Sequence, residues 1–208
     1  INRDIAGGRF AGHARWIGNE KRGVMVCSRA RMSSTSYTPS LTRRDEEALL
    51  SLDDPLTAAQ MLRRSRTWRH PFESDRVLRR RMQQLARAGL VRIFRYATTT
   101  PTIQQYYTLA PEGYRLLYGH DVPVPRGAVS EISLSRQRHA FALAEFMTHT
   151  ISAAHDAGCA LTESYSENAL KLTVGQQARF PDRAFKLRTP SGLLLSFLVE
   201  IDMGTHRL

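Results

Sequence analysis

The segment Ser74–Gly89 (SDRVLRRRMQQLARAG) leaves few choices about what it can fold into. Ser74 is an N-capping residue, Asp75 favours a helix N-terminus, and Gly89 stands where a C-terminal cap belongs, so the spacing predicts a helix over Asp75–Ala88. With Val77 as zero and 100° per residue, Leu78, Met82 and Leu85 fall at about 100°, 140° and 80°, a single apolar face. Arg76, Arg80, Gln83 and Arg87 fall between about 240° and 300°, on the opposite side, with Arg79 and Gln84 flanking them. Arg81, at about 40°, lies beside the apolar face and is expected to snorkel to water. Such a helix must lay its Leu–Met stripe on a core supplied by other elements. It presents Arg and Gln outward, with no acid after Asp75.

The neighbouring sequence supplies those elements. Thr42, answered by Asp45, is spaced like a capping box and starts a helix with Ala48, Leu49 and Leu52 on its apolar side, which Asp53-Asp54-Pro55 stops. Thr57 caps a second short helix, Ala58 to about Arg64. A connector holding Trp68 and Pro71 leads to the arginine-rich helix. Val91–Tyr96 and Gln104–Leu109 read as two strands around a Thr/Pro turn, and Pro111-Glu112-Gly113 opens a fourth helix. Helix, helix, helix, hairpin, helix is the order of a winged helix-turn-helix, expected over residues 41–120. Residues 1–40 lack periodicity and are expected to be a disordered arm or non-native upstream sequence, Met32 being a natural start.

Charge indicates the partner. The chain has 30 Lys and Arg against 19 Asp and Glu, for a net charge of +11, which favours a polyanion. Arg can bond guanine and Gln adenine in a bidentate way in the major groove of double-stranded DNA, while further arginines rest on phosphates. The expected DNA-binding residues are Arg76, Arg79, Arg80, Gln83, Gln84 and Arg87, with Arg92 and Arg95 on the first strand of the hairpin. The hairpin tip has no Lys or Arg, so a deep minor-groove contact is not indicated, and Tyr106-Tyr107 are expected to pack the wing. DNA binding of this kind requires no cofactor. A homodimer reading paired half-sites is compatible with the class, although no coiled coil enforces one. No apolar run approaches the roughly 20 residues that span a bilayer, and residues 1–24 carry no secretory signal. Cys27 and Cys159 lack metal-ligand spacing and read as reduced thiols. A cytoplasmic protein without a membrane partner is expected.

Beyond the linker Pro123–Gly127, a helix over Ser135–Ala157 and strands over Ala160–Tyr165, Phe180–Arg188 and Leu193–Asp202 suggest an α/β domain over residues 133–208. His139, His149 and His155 share the helix at spacings of 10 and 6, which do not stack as a zinc pair would. Asp182 and Glu200 lie 18 residues apart on neighbouring strand-like segments, and alternation would put Glu200 and Asp202 on one strand face.

Three resemblances follow. Leu85–Arg92 (LARAGLVR) with Tyr107–Gly113 (YTLAPEG) is similar to winged-helix regulators in general. Pro181-Asp182 followed by Glu200-Ile201-Asp202 resembles the PD-(D/E)XK nuclease core. That core implies Mg²⁺ on Asp182 and Glu200, with Glu163 as a further ligand. Asp202 stands where that pattern wants Lys, and Lys186 is the nearest substitute, so a catalytic set would be Asp182, Glu200, Asp202 and Lys186. The chain ends before the helix and strand that complete such a core, so an incomplete restriction-endonuclease-like domain is expected and the overall class is α+β. Arg79–Val91, Tyr107–Gly113, His139, Pro181-Asp182 and Val199–Thr205 (VEIDMGT) together resemble the replication-relaxation family of plasmids and mobile elements. That resemblance implies a DNA-binding protein acting in replication, DNA relaxation or transfer, alongside plasmid replication or transfer proteins. Two other readings stay open: a Mg²⁺-dependent endonuclease or nickase targeted by the winged helix, and a transcriptional repressor of a mobile element.

Overall fold

The computed structural model describes residues 40–97, 104–167, 169–174 and 176–204. The arm expected over residues 1–40 therefore lies, apart from Ser40, outside the described residues, as does the hairpin tip Thr98–Thr102. The fold mixes helices with small antiparallel sheets, in two compact units that divide between Ala157 and Gly158.

The first unit starts with two short helices built on the same device. At α1 (Arg43–Leu50) the Thr42 hydroxyl accepts the Asp45 N–H and the Asp45 carboxylate accepts the Thr42 N–H. At α2 (Ala58–Ser65) Thr57 and Gln60 repeat the arrangement. Each box satisfies helix-end amides that would otherwise lack partners. Helix α3 (Asp75–Arg87) starts at Ser74, whose hydroxyl accepts the Val77 N–H, and closes before Gly89 at φ 74°. Between α1 and α2, the two-residue strand β1 (Leu56–Thr57) lies antiparallel to β3 (Gln105–Leu109), which on its other side pairs with β2 (Val91–Arg95) from Val91↔Leu109 to Arg95↔Gln105. Helix α4 (Pro111–Tyr118) follows directly, then the single turn α5 (Arg126–Val129) and the long α6 (Leu134–Asp156).

Leu49, Leu52, Leu56, Met61, Leu78, Met82, Leu85 and Tyr107 form the buried centre of this unit, with Ala144 of α6 among them. Helix α6 thus packs on the helix–hairpin elements, although its sequence position suggested that it opens the second half. Polar contacts fasten it. Arg63 of α2 meets Glu145 at 2.5 Å, and Gln60 donates to the same carboxylate at 3.1 Å. Gln137 accepts the Ala97 N–H at 2.7 Å, and Phe141 meets Tyr96 edge-on. Tyr106 and Tyr107 are fully buried; the Tyr106 hydroxyl accepts the Ile132 N–H, so both pack the hairpin rather than stack on a ligand.

The second unit is an antiparallel sheet in the order β4 (Ala160–Tyr165), β7 (Arg183–Arg188), β8 (Leu194–Val199), with a separate hairpin of β5 (Leu172–Val174) and β6 (Gln177–Arg179) inserted before β7. β4 lies where its alternation placed it. β7 starts later than expected and β8 stops at Val199, so Glu200 and Asp202 are not carried on a strand. After Val199 the chain turns: the Asp202 carboxylate accepts the Gly204 N–H, and Gly204 takes φ 64°.

Gly113 shows why the junction between hairpin and α4 tolerates one residue only. The Leu90 carbonyl accepts the Ala110 N–H and sits against the first turn of α4, and a Cβ at position 113 would stand 2.1 Å from that oxygen. Gly113→Ala is expected to destabilise the protein by about 1–3 kcal/mol through this backbone clash. A lowered urea midpoint with an unchanged m-value is the expected result.

Candidate nucleic-acid interface

Helix α3 carries three consecutive arginines, and the fold gives each a different task. Arg81 turns toward α1 and keeps only part of its side chain in contact with water. Its guanidinium donates to the fully buried Asp45 carboxylate at 2.7 and 2.5 Å, to the Ser40 carbonyl at 3.0 Å, and to the Gln84 side-chain oxygen at 3.0 Å. This corrects the expectation that Arg81 snorkels outward. A bidentate carboxylate partner one helix away holds it more strongly than water would. Gln84 is drawn to the same side and leaves only its amide nitrogen unspent in that pair. Arg79 bonds Asp75 one turn earlier at 2.5 Å, and that hydrogen bond raises its pKa further. Arg80 remains outward, with Arg76, Gln83 and Arg87, all exposed on one stripe. The acids nearest the stripe on α1 and α3, Asp45 and Asp75, are both engaged by arginines off it.

On the hairpin, Arg92 donates to the Val129 carbonyl at 2.7 Å and is thereby fastened toward α5, whereas Arg95 is exposed at the end of β2. The connector between α2 and α3 adds basic groups that helical periodicity could not single out. Trp68 and Phe72 are both buried, their rings edge-on at 6.0 Å, and Arg69 and His70 are exposed between these two anchors. The Arg69 N–H is held by Glu47, and the Arg44 guanidinium lies 4.9 Å from the Phe72 ring centre. The available signal was two large aromatics bracketing an Arg-His pair.

In the second unit the pair Arg183↔Val199 closes the β7–β8 ladder, with Asp182 the residue before β7 and Glu200 the residue after β8, both outside the ladder. Glu163 pairs across β4–β7 with Lys186, four residues along β7 from Asp182, or about 13 Å of strand. There the Lys186 ammonium lies 2.9 Å from the Glu163 carboxylate, which also accepts the Tyr165 hydroxyl at 2.8 Å. These hydrogen bonds raise the pKa of both Lys186 and Tyr165 and keep the lysine protonated. Asp182 and Glu200 thus lie just outside the paired end of β7 and β8, and Glu163 sits with Lys186 at another position. Among the described residues, no group of three or more His, Cys, Asp or Glu side chains could hold a metal ion. No helix among them is long and apolar enough to cross a membrane.

The sequence pattern of the replication-relaxation family matches residues 48–208, from α1 through the last residue. The chain belongs to the replication-relaxation family. No curated protein and no solved structure matches it. The family match takes in both units of this replication-relaxation protein: the helix–hairpin elements with their arginine stripe and the sheet flanked by Asp182 and Glu200.

The Asp45–Arg81 pair can be tested by pH. Burial by itself raises the Asp45 carboxyl, but hydrogen bonds from Arg81 and Thr42 outweigh it and hold the group below its ordinary value. A depressed folded value means the stabilisation is complete above about pH 4, the range of a free Asp, and is lost as pH falls through the folded value. Asp45→Asn is expected to cost about 2–3 kcal/mol at pH 7, less than a wholly buried pair because Arg81 keeps some contact with water. The variant should also lose less stability than the wild type between neutral and acid pH, as read by urea denaturation at each.

Proposed function

We propose that this protein binds double-stranded DNA of a plasmid or mobile element, through a winged helix-turn-helix whose reading helix is α3, and acts in replication, DNA relaxation or transfer. The observation that carries this reading is the stripe Arg76–Arg80–Gln83–Arg87. It is exposed, uninterrupted by acid, and backed by Leu78, Met82 and Leu85, which bury the other side of the helix. A helix about 10–12 Å across fits a major groove about 12 Å wide. Arg80 and Gln83 are suited to base edges, and Arg76 and Arg87 to phosphates on either side. Arg95, Arg69 and His70 would extend the positive surface. Family membership supports the setting in replication or relaxation.

A second reading rests on Asp182 and Glu200, the residues that flank the last β7–β8 pair, Arg183↔Val199. Two carboxylates at one strand end suit Mg²⁺, which would supply a Lewis acid and an activated water for phosphodiester hydrolysis. On this reading those two side chains would hold it. Lys186 is committed to Glu163, and among the described residues no third His, Cys, Asp or Glu completes a metal-holding group with them, so binding is the preferred function.

Arg80→Ala is expected to lower affinity for a specific site by about 1–3 kcal/mol and to relax sequence preference, measured by mobility shift on a selected site and scrambled DNA. Unchanged binding would remove α3 from the reading role. Supercoiled plasmid incubated with Mg²⁺ or with EDTA should give a salt-sensitive shift without nicking. A nicked product that needs Mg²⁺ and vanishes in Glu200→Ala would establish the nuclease reading instead.

A further inference from the structure

An arginine side chain carries only N–H donors and no acceptor, so whatever it bonds must offer a lone pair. This fixes the orientation of Gln84. The Arg81 Nη1 donates to the Gln84 Oε1 at 3.0 Å. Turning the amide over would set its NH₂ against the guanidinium. The oxygen is therefore spent inside the protein, and Nε2 is left as a donor on the other arm of the amide. Arg81 is itself held. Its Nε and Nη2 donate to the fully buried Asp45 carboxylate at 2.7 and 2.5 Å, and Nη2 also donates to the Ser40 carbonyl at 3.0 Å. Asp45, Arg81 and Gln84 thus form a chain of hydrogen bonds from a buried carboxylate to the half-buried Gln84 on α3.

The position of Gln84 on α3 decides what such a donor would meet. With Val77 as zero, the stripe of Arg76, Arg80, Gln83 and Arg87 centres on about 270°, and Gln84 falls at about 340°, between Arg80 and Arg81. It lies on the flank turned toward α1. A helix seated in a major groove turns its centre line to the base edges and its flanks to the sugar–phosphate walls. Gln83, exposed on the stripe, can offer oxygen and nitrogen together, the pair that adenine N6 and N7 require. Gln84 has already given its oxygen to Arg81. A phosphate oxygen only accepts, and a fixed donor on the flank suits it.

We propose that Gln84 is a phosphate contact, oriented by Asp45 through Arg81, that sets the register of α3 in the groove without reading sequence. This rests on α3 being the DNA-reading helix. Asp45 and Arg81 are positioning residues that act through Gln84. Two adjacent glutamines of identical chemistry then take different tasks, Gln83 the bases and Gln84 the backbone. A donor ordered before binding also loses less conformational entropy on contact.

The test measures affinity for a selected site and for scrambled DNA of equal length at several salt concentrations. Gln84→Ala is expected to weaken both about tenfold, the worth of a hydrogen bond to a charged group. It should leave the salt slope unchanged, because a neutral amide displaces no counterion, whereas Arg87→Ala should lower the slope by about one. Gln84→Glu keeps an acceptor for Arg81, so its urea midpoint should not fall, yet its carboxylate should repel phosphate and weaken binding more than Gln84→Ala does. Arg81→Lys keeps the charge beside Asp45 but lacks the planar fork that also holds Gln84. It should weaken binding of the otherwise unchanged chain and add nothing to Gln84→Ala. A loss confined to the selected site, unchanged binding by both Gln84 variants, or additive losses for Arg81→Lys and Gln84→Ala would each overturn the proposal. Arg80→Ala separates this from the reading of α3. If Arg80→Ala relaxes sequence preference while the Gln84 variants bind normally, the phosphate contact alone falls. If Arg80→Ala has no effect, the reading of α3 falls and takes the contact with it.

Discussion

The Asp45 carboxylate is fully buried and accepts four hydrogen bonds, from the Thr42 amide, the Thr42 hydroxyl and two nitrogens of Arg81. Two of those bonds start α1 and the other two fasten α3 to it. Burying a carboxylate is costly unless its oxygens are fully satisfied, and here the satisfaction comes from both helices at once. The rotation of α3 follows. With Arg81 held against α1 and Leu78, Met82 and Leu85 in the core, Arg76, Arg80, Gln83 and Arg87 have only the outward side left to them.

The long helix α6 extends this logic. It lends Ala144 to the core and offers Glu145 to α2, where Arg63 and Gln60 meet it and His149 lies 3.0 Å away. It also supplies Gln137 and Phe141 to the end of β2. The hairpin is therefore braced at the end of β2, where Arg95 stays exposed. Such bracing suits the proposed DNA-binding role, because side chains held on rigid elements lose less conformational entropy when they bind.

Much of this was legible along the chain because its causes are local. Thr42 with Asp45, Ser74, and Gly89 mark helix ends through contacts spanning a few residues, and the structure starts or stops helices there. The Leu78–Met82–Leu85 stripe is a consequence of helical period alone. The task of Arg81 was not legible: helical period places it beside the apolar face, apart from Arg80, but its partner lies 36 residues away. Nor was the end of β8. Alternation continues through Glu200 and Asp202, but the Asx turn to Gly204 takes the chain out of the sheet. Glu163 could be grouped with Asp182 on paper because both sit on strands, while the β4–β7 register sets it beside Lys186.

The sequence by itself determined the helical and strand periods, the caps, the positive surface and the family to which the chain belongs, all of which depend on residue type and short spacing. Tertiary structure decided which arginines stay exposed, which unit α6 joins, and which cation each carboxylate meets. Those outcomes rest on pairings between residues tens of positions apart, such as Arg63 with Glu145, and the competition for each buried or half-buried carboxylate is resolved only when the helices and strands are packed.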